Sequence, residues 1–94
     1  MIAHNDALRA ILAPHLKNYR LQLGLTQHAM SELFRISERS YVELEHGNSL
    51  CPSYVLVQFF IMIGEEQTSE LLREIELAFE KLDSPISPPT AAMV

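Results

Sequence analysis

The sequence predicts a compact all-α fold of five helices. Three observations carry that prediction. Apolar residues recur at intervals of three and four along most of the chain, the period of one helix face. Residues that cap helix starts (Thr26, Ser37, Ser53) stand just before such runs, and Gly24, Gly47 and Gly64 stand just after them. Residues 65–82, "EEQTSELLREIELAFEKL", consist largely of strong helix formers.

The elements follow in order. Asn5 or Asp6 is placed to cap a first helix, with Leu8, Ile11 and Leu12 at helical spacing. Pro14 interrupts this run, so either the helix kinks there or Pro14 stands near the start of a new one. Leu16, Tyr19 and Leu23 continue the apolar face to Gly24. Thr26 caps a second helix, Gln27 to Phe34, with Met30, Leu33 and Phe34 expected inward. "RIS" is a short turn, and Ser37 caps a third helix that stops at Gly47. "NSLCPS" is a loop, after which Pro52 or Ser53 opens a fourth helix ending at Gly64. In the fifth, Leu72, Ile75, Phe79 and Leu82 repeat at intervals of three, four and three, a heptad-like seam widened by Leu71 and Ala78. The tail "DSPISPPTAAMV" holds three prolines and no apolar period, and is expected to be disordered. The chain thus divides into a helical extension (1–13), a domain built around a helix-turn-helix (14–64), an amphipathic helix expected to dimerise (65–82) and the tail (83–94).

Composition bounds the function. Ninety-four residues with 48% apolar content make one small domain. No apolar run is long enough to span a bilayer, and no basic segment followed by an apolar one marks an export signal at the N-terminus. The one cysteine, Cys51, cannot staple the fold, so a cytoplasmic, reducing setting is expected. The net charge of −5 is unevenly placed. Residues 1–51 hold five basic and five acidic side chains, whereas residues 52–94 hold two and seven. A polyanionic partner must therefore be met by the N-terminal half. His4, His15, His28 and His46 are scattered with no metal-ligand spacing, and no phosphate loop, carboxylate dyad or Ser-His-Asp pattern occurs. The reading is of a non-enzyme with no cofactor and no metal.

The stretch "LKNYRLQLGLTQHAMSELFRISERSYVELEHG", Leu16 to Gly47, resembles the helix-turn-helix of lambdoid phage repressors, Cro and the XRE family of bacterial regulators. The marks are Arg20, "GLTQ" at 24–27, "IS" at 36–37, "LE" at 44–45, Gly47 and Pro52, in order and at the family's spacings, and the likeness continues to Gly64. The resemblance implies a lambda-repressor-like fold that binds double-stranded DNA with its third helix. It also implies an ion pair between Arg20 and Glu45 inside the domain, and a backbone contact by Gln27. The family often places a glycine or another small residue where this chain has Arg35.

The third helix, "SERSYVELEHG", carries Glu38, Glu43 and Glu45 against one arginine, Arg39. With Tyr41 at the centre of the buried face and ~100° per residue, Leu44 and Glu45 turn inward. Arg39, Glu43 and His46 turn outward, and Ser40 and Val42 flank them. Glu38 in the first turn suits the helix dipole and lies near the end that bases or phosphates approach. Arg39 is suited to guanine and Glu43 to the cytosine amino group, or the two pair with each other and read nothing. Arg35 in the turn, Ser37 at the helix start and Asn48 in the following loop complete the candidate DNA contacts, with Lys17 and Ser49 weaker. Two functions remain. One is a sequence-specific DNA-binding regulator acting as a homodimer on a two-fold operator, its copies joined through Leu72, Ile75, Phe79 and Leu82. The other is a protein-interaction module on the same fold, with DNA binding weak or lost.

Overall fold

In a computed structural model of the chain, residues 2–83 are described, and they are all-helical with no strand among them. Four helices follow one another: α1 (Ile2–Leu23), α2 (Gln27–Phe34), α3 (Glu38–Glu45) and α4 (Ser53–Asp83). None is long and apolar enough to cross a membrane.

The count is four rather than five because α4 carries a kink: residues 53–63 and 65–83 are two helical segments that meet at Gly64, where the fourth helix was expected to end. Gly64 still interrupts that element, with φ 90° and ψ 171°. Such a break frees carbonyls that the next turn no longer reaches. Side chains accept this role: Thr68 Oγ1 donates to the Phe60 carbonyl at 3.0 Å and Tyr19 OH to the Met62 carbonyl at 2.9 Å. The Thr68 bond ties the backbone across the kink, and the Tyr19 bond ties it to α1.

α1 also departs from expectation. It begins at Ile2, so Asn5 and Asp6 lie inside it and Asp6 pairs with Arg9 instead of capping. The first turn is held by the far end of α4. His4 Nε2 lies 2.9 Å from Asp83 Oδ1, and its ring meets Phe79 edge-on at 4.9 Å. Of the two readings of Pro14, the helix runs through it. The missing N–H leaves the Ala10 carbonyl without its helical donor, but both residues are exposed, so water can supply one. Of the expected tail, only Asp83 is described, as the last residue of α4; residues 84–94 lie outside the described part.

α1 packs on α3 and α4, and α2 on α3. An aromatic cluster ties the four together. Phe34 stacks on Tyr41 at 6.0 Å and meets Phe59 edge-on at 6.4 Å, and Tyr19 meets Phe59 at 5.9 Å. Leu12, Leu16, Met30, Leu44, Val55, Leu71 and Ile75 fill the core around them. Leu33 is not inward as expected: it is 49% exposed, and Ser31 is buried in its place. Met30 and Phe34 set the inward face of α2 and leave Ser31 and Leu33 on its two flanks, of which the Ser31 flank is the covered one. Ser31 tolerates burial because its hydroxyl donates to the His28 carbonyl at 2.6 Å.

Candidate nucleic-acid interface

The α2–turn–α3 unit is fixed at both helix starts by its own sequence. Thr26 Oγ1 accepts from Ala29 N at 3.0 Å, and Ser37 Oγ accepts from Ser40 N at 3.1 Å. Helix ends follow one pattern in three places. After α1, Gly24 N donates to the Leu21 carbonyl and Leu25 N to that of Arg20. After α3, Gly47 N donates to Leu44 and Asn48 N to Glu43. After α2, Arg35 N donates to Glu32 and Ile36 N to Ser31. This closure needs one residue with left-handed backbone. Glycine supplies it at 24 and 47, whereas Arg35 adopts φ 59° and ψ 41°, the only positive φ outside glycine among the described residues. A side chain in that region costs ~1–2 kcal/mol relative to the right-handed one.

Beneath the unit lies a buried polar cluster. The Glu45 carboxylate receives Arg20 Nε at 2.5 Å, Arg20 Nη2 at 3.2 Å, Gln27 Nε2 at 3.1 Å and Tyr41 OH at 2.6 Å. Arg20 Nη1 donates onward to the Leu25 carbonyl at 3.0 Å. The Glu45 side chain is 2% exposed and that of Arg20 12%. Burial alone pushes the Glu45 carboxyl up, but the bonds from Arg20, Tyr41 and Gln27 outweigh it and hold the group below the usual carboxylate range. The Tyr41 hydroxyl is raised, by burial first and then by its bond to Glu45. The cluster ties α1 to α3 and the start of α2, so it fixes how α3 stands on the domain.

The remaining candidates sit on or beside the outer face. Arg39 and Ser40 are exposed, and among the described residues the Arg35 and Arg39 side chains have no hydrogen-bond or ion-pair partner. Arg39 and Glu43 do not pair with each other; Glu43 Oε1 instead accepts from Asn48 Nδ2 at 2.9 Å. Glu38 Oε1 lies 3.1 Å from His28 Nδ1, and His28 Nε2 lies 3.3 Å from Glu32. The Ser37 hydroxyl is spent on the cap and on Ser40 Oγ, 2.9 Å away, which leaves the Ser40 proton free to point outward. Gln27 spends one amide N–H on Glu45 and keeps the other. Arg39, Ser40 and Glu43 line one recess, Asn48 is bonded to Glu43, and Arg35 lines the neighbouring recess with Tyr54, while Gln27 is held by its bond to the cluster below.

Leu72, Ile75, Phe79 and Leu82 do not share one environment. Ile75 is in the core, Phe79 is half-buried against His4, and Leu72 and Leu82 are exposed. Leu71, one residue from the expected line, is the buried partner of Ile75. Burial pushes the Cys51 thiol up to about 11, which keeps it protonated near neutrality. No group of three His, Cys, Asp or Glu able to hold a metal ion occurs among the described residues.

Two participants escaped sequence reasoning. The Tyr41 hydroxyl stands four residues before Glu45, a helical spacing that brings the two together and was available as a signal. His28 reaches Glu38 across the turn, a contact that no local spacing announces. No family model, curated protein or solved structure matches the chain.

Proposed function

We propose that this chain is a helix-turn-helix DNA-binding regulator of the XRE and phage-repressor kind, acting as a homodimer on a two-fold operator, with α3 as the helix that enters the major groove. One observation carries the reading: Arg35. The chain closes three helix ends in the same way and uses glycine at two of them. At the third, where α2 turns into α3, it accepts a left-handed arginine whose guanidinium is exposed and unpartnered among the described residues. A strained residue at a surface turn points to a role outside the fold. A cation between the end of α2 and the start of α3 suits a phosphate contact, and Arg39 one turn into α3 suits a base edge. The N–H groups at the start of α3, just after Arg35, add donors.

The test is a binding selection on randomised duplexes at fixed salt, with wild type, Arg35→Ala, Arg39→Ala and Glu43→Gln. Arg35→Ala should weaken all sequences alike and flatten the salt dependence. Arg39→Ala should cost ~1–3 kcal/mol and relax choice at one base pair in each half-site. Glu43→Gln should lower specific relative to non-specific binding. Four sequence-blind, indistinguishable profiles would reject DNA reading. The second reading, a protein-interaction module, then gains from the groove that Arg39 and Glu43 share with Leu50 and Tyr54, an apolar flank that DNA does not require.

A further inference from the structure

The outer face of the first half of α4 is apolar and uncovered. Tyr54, Val57 and Ile61 follow at helical spacing, each more than half exposed, with Ile61 at 69%. The opposite face sends Val55 and Phe59 into the core, so this stripe is surplus to the chain's own packing. It spreads onto both neighbours. Leu33 lines a recess together with Tyr54 and Gln58, and Leu50 lines another with Tyr54.

We propose that this stripe is the surface on which a second copy of the chain docks, about a two-fold axis. The inference rests on the homodimer of the preceding reading but not on DNA binding, and it moves the interface away from Leu72, Ile75, Phe79 and Leu82. Ile75 is already spent on the core and Phe79 on His4.

Three features favour a second copy over another partner. A two-fold interface brings a patch against itself, so any charge on it meets its own sign. Residues 53–63, "SYVLVQFFIMI", carry none. The recesses on either side are also lined by Arg35 and by Arg39 and Glu43, so charge borders the stripe but does not stand on it. Next, Gln58 stands at the middle of the stripe, and an amide is both donor and acceptor, so it can bond its own copy across the axis. Last, the stripe is symmetric about Val57 and Gln58. Two antiparallel α4 segments bring Tyr54 against Ile61 of the partner subunit, a large ring beside a branched chain. The five exposed apolar side chains amount to on the order of 500 Å² per copy, against ~800 Å² per partner in a standard stable interface. The dimer should therefore be a micromolar one, populated by concentration or by a shared operator.

Analytical ultracentrifugation of the full chain without DNA, from about 10 to about 500 µM, tests this in the range where such an interface dissociates. Wild type should pass from monomer to dimer. Val57→Glu and Ile61→Glu should each weaken the dimer at least about tenfold, with circular dichroism and melting close to wild type because both sites are exposed. Leu72→Glu combined with Leu82→Glu should leave self-association unchanged. An equimolar mixture of Val57→Glu and Val57→Lys chains should associate again, because residue 57 stands next to the axis, where its two copies approach each other. A wild type that stays monomeric throughout overturns the inference. So does a dimer that survives Val57→Glu, or one lost only in the Leu72 and Leu82 variant. Failure of the duplex selection alone leaves the dimer standing, so the two readings fail separately.

Discussion

Arg20→Met should be among the most damaging single substitutions in this chain. Its partner Glu45 is 2% exposed and cannot turn to water, so the carboxylate stays behind in the core. Breaking a buried pair in this way costs ~3–5 kcal/mol. Tyr41 and Gln27 still donate to the carboxylate, which places the expected loss near the lower end, about 3 kcal/mol. A domain of this size holds only ~5–10 kcal/mol in all. At roughly 4–8 °C per kcal/mol, the melting temperature should fall by about 12–24 °C. Glu45→Leu should cost less. The guanidinium it strands is nearer the surface and keeps the Leu25 carbonyl, although Tyr41 OH is left with only a 3.5 Å approach to the Leu16 carbonyl. The double variant removes both charges and should recover ~1–3 kcal/mol relative to the sum of the single losses. The assay is urea and thermal unfolding at pH 7, with Glu66→Gln at an exposed site as control. If Arg20→Met, Glu45→Leu and Glu66→Gln all fall within ~0.5 kcal/mol of wild type, the cluster does not hold α3 on the domain.

Acid should expose the same cluster. Because the folded Glu45 carboxyl lies below its unfolded value, its contribution is complete above about pH 4.5 and is lost as the pH falls through the lower folded value. The pH dependence of the urea midpoint between about pH 2.5 and 6 should therefore be shallower in Glu45→Gln than in wild type; identical slopes would contradict the assignment. At the α2–α3 turn, Arg35→Gly removes a left-handed side chain, and Gly there also loosens the unfolded chain, so a small net gain of ~0–1 kcal/mol is expected. A loss above ~1 kcal/mol in urea unfolding would show that Arg35 supports the fold and not an outside partner.

What the sequence made legible was written locally. Thr26 and Ser37 cap the helices they precede, and Gly24 and Gly47 close the helices they follow, because each of these instructions acts within four residues. The departures came from distant contacts. α1 starts at Ile2 because His4 meets Asp83 and Phe79 at the other end of the described chain. Gly64 breaks the helical run as expected, and what no local signal announced is that Tyr19 and Thr68 take up the carbonyls freed there. The seam at 72, 75, 79 and 82, expected to meet a second copy, divides between environments: Ile75 is in the core, Phe79 packs on His4, and Leu72 and Leu82 are exposed. A period marks a face, but Leu71 and Ile75 show that only the neighbouring helix decides which one is covered.

The acidic character of α3 was legible in part, since the turn of the helix already puts Glu45 inward, and the geometry adds what the other carboxylates touch. A count of three glutamates against one arginine suggests a helix that repels DNA. Yet Glu45 is inside the domain, paired with Arg20, and adds nothing to the outer face. Glu38 is turned toward His28, and one oxygen of Glu43 is held by Asn48. The basic groups on that side, Arg35 and Arg39, have no such ties among the described residues. What faces outward is therefore two guanidiniums without partners among the described residues, beside two carboxylates that each have a neighbour of their own. The Asn48 bond is the weak point of this arrangement. A neutral amide does not cancel the Glu43 charge, and the bond is worth only ~0.5–1.5 kcal/mol net. A cytosine amino group could compete for the carboxylate, but a phosphate would be repelled by it. Glu43 would then exclude sequences that fail to present the amino group, contributing selectivity while lowering affinity. That division of labour is what Glu43→Gln in the duplex selection separates: affinity rising while discrimination falls.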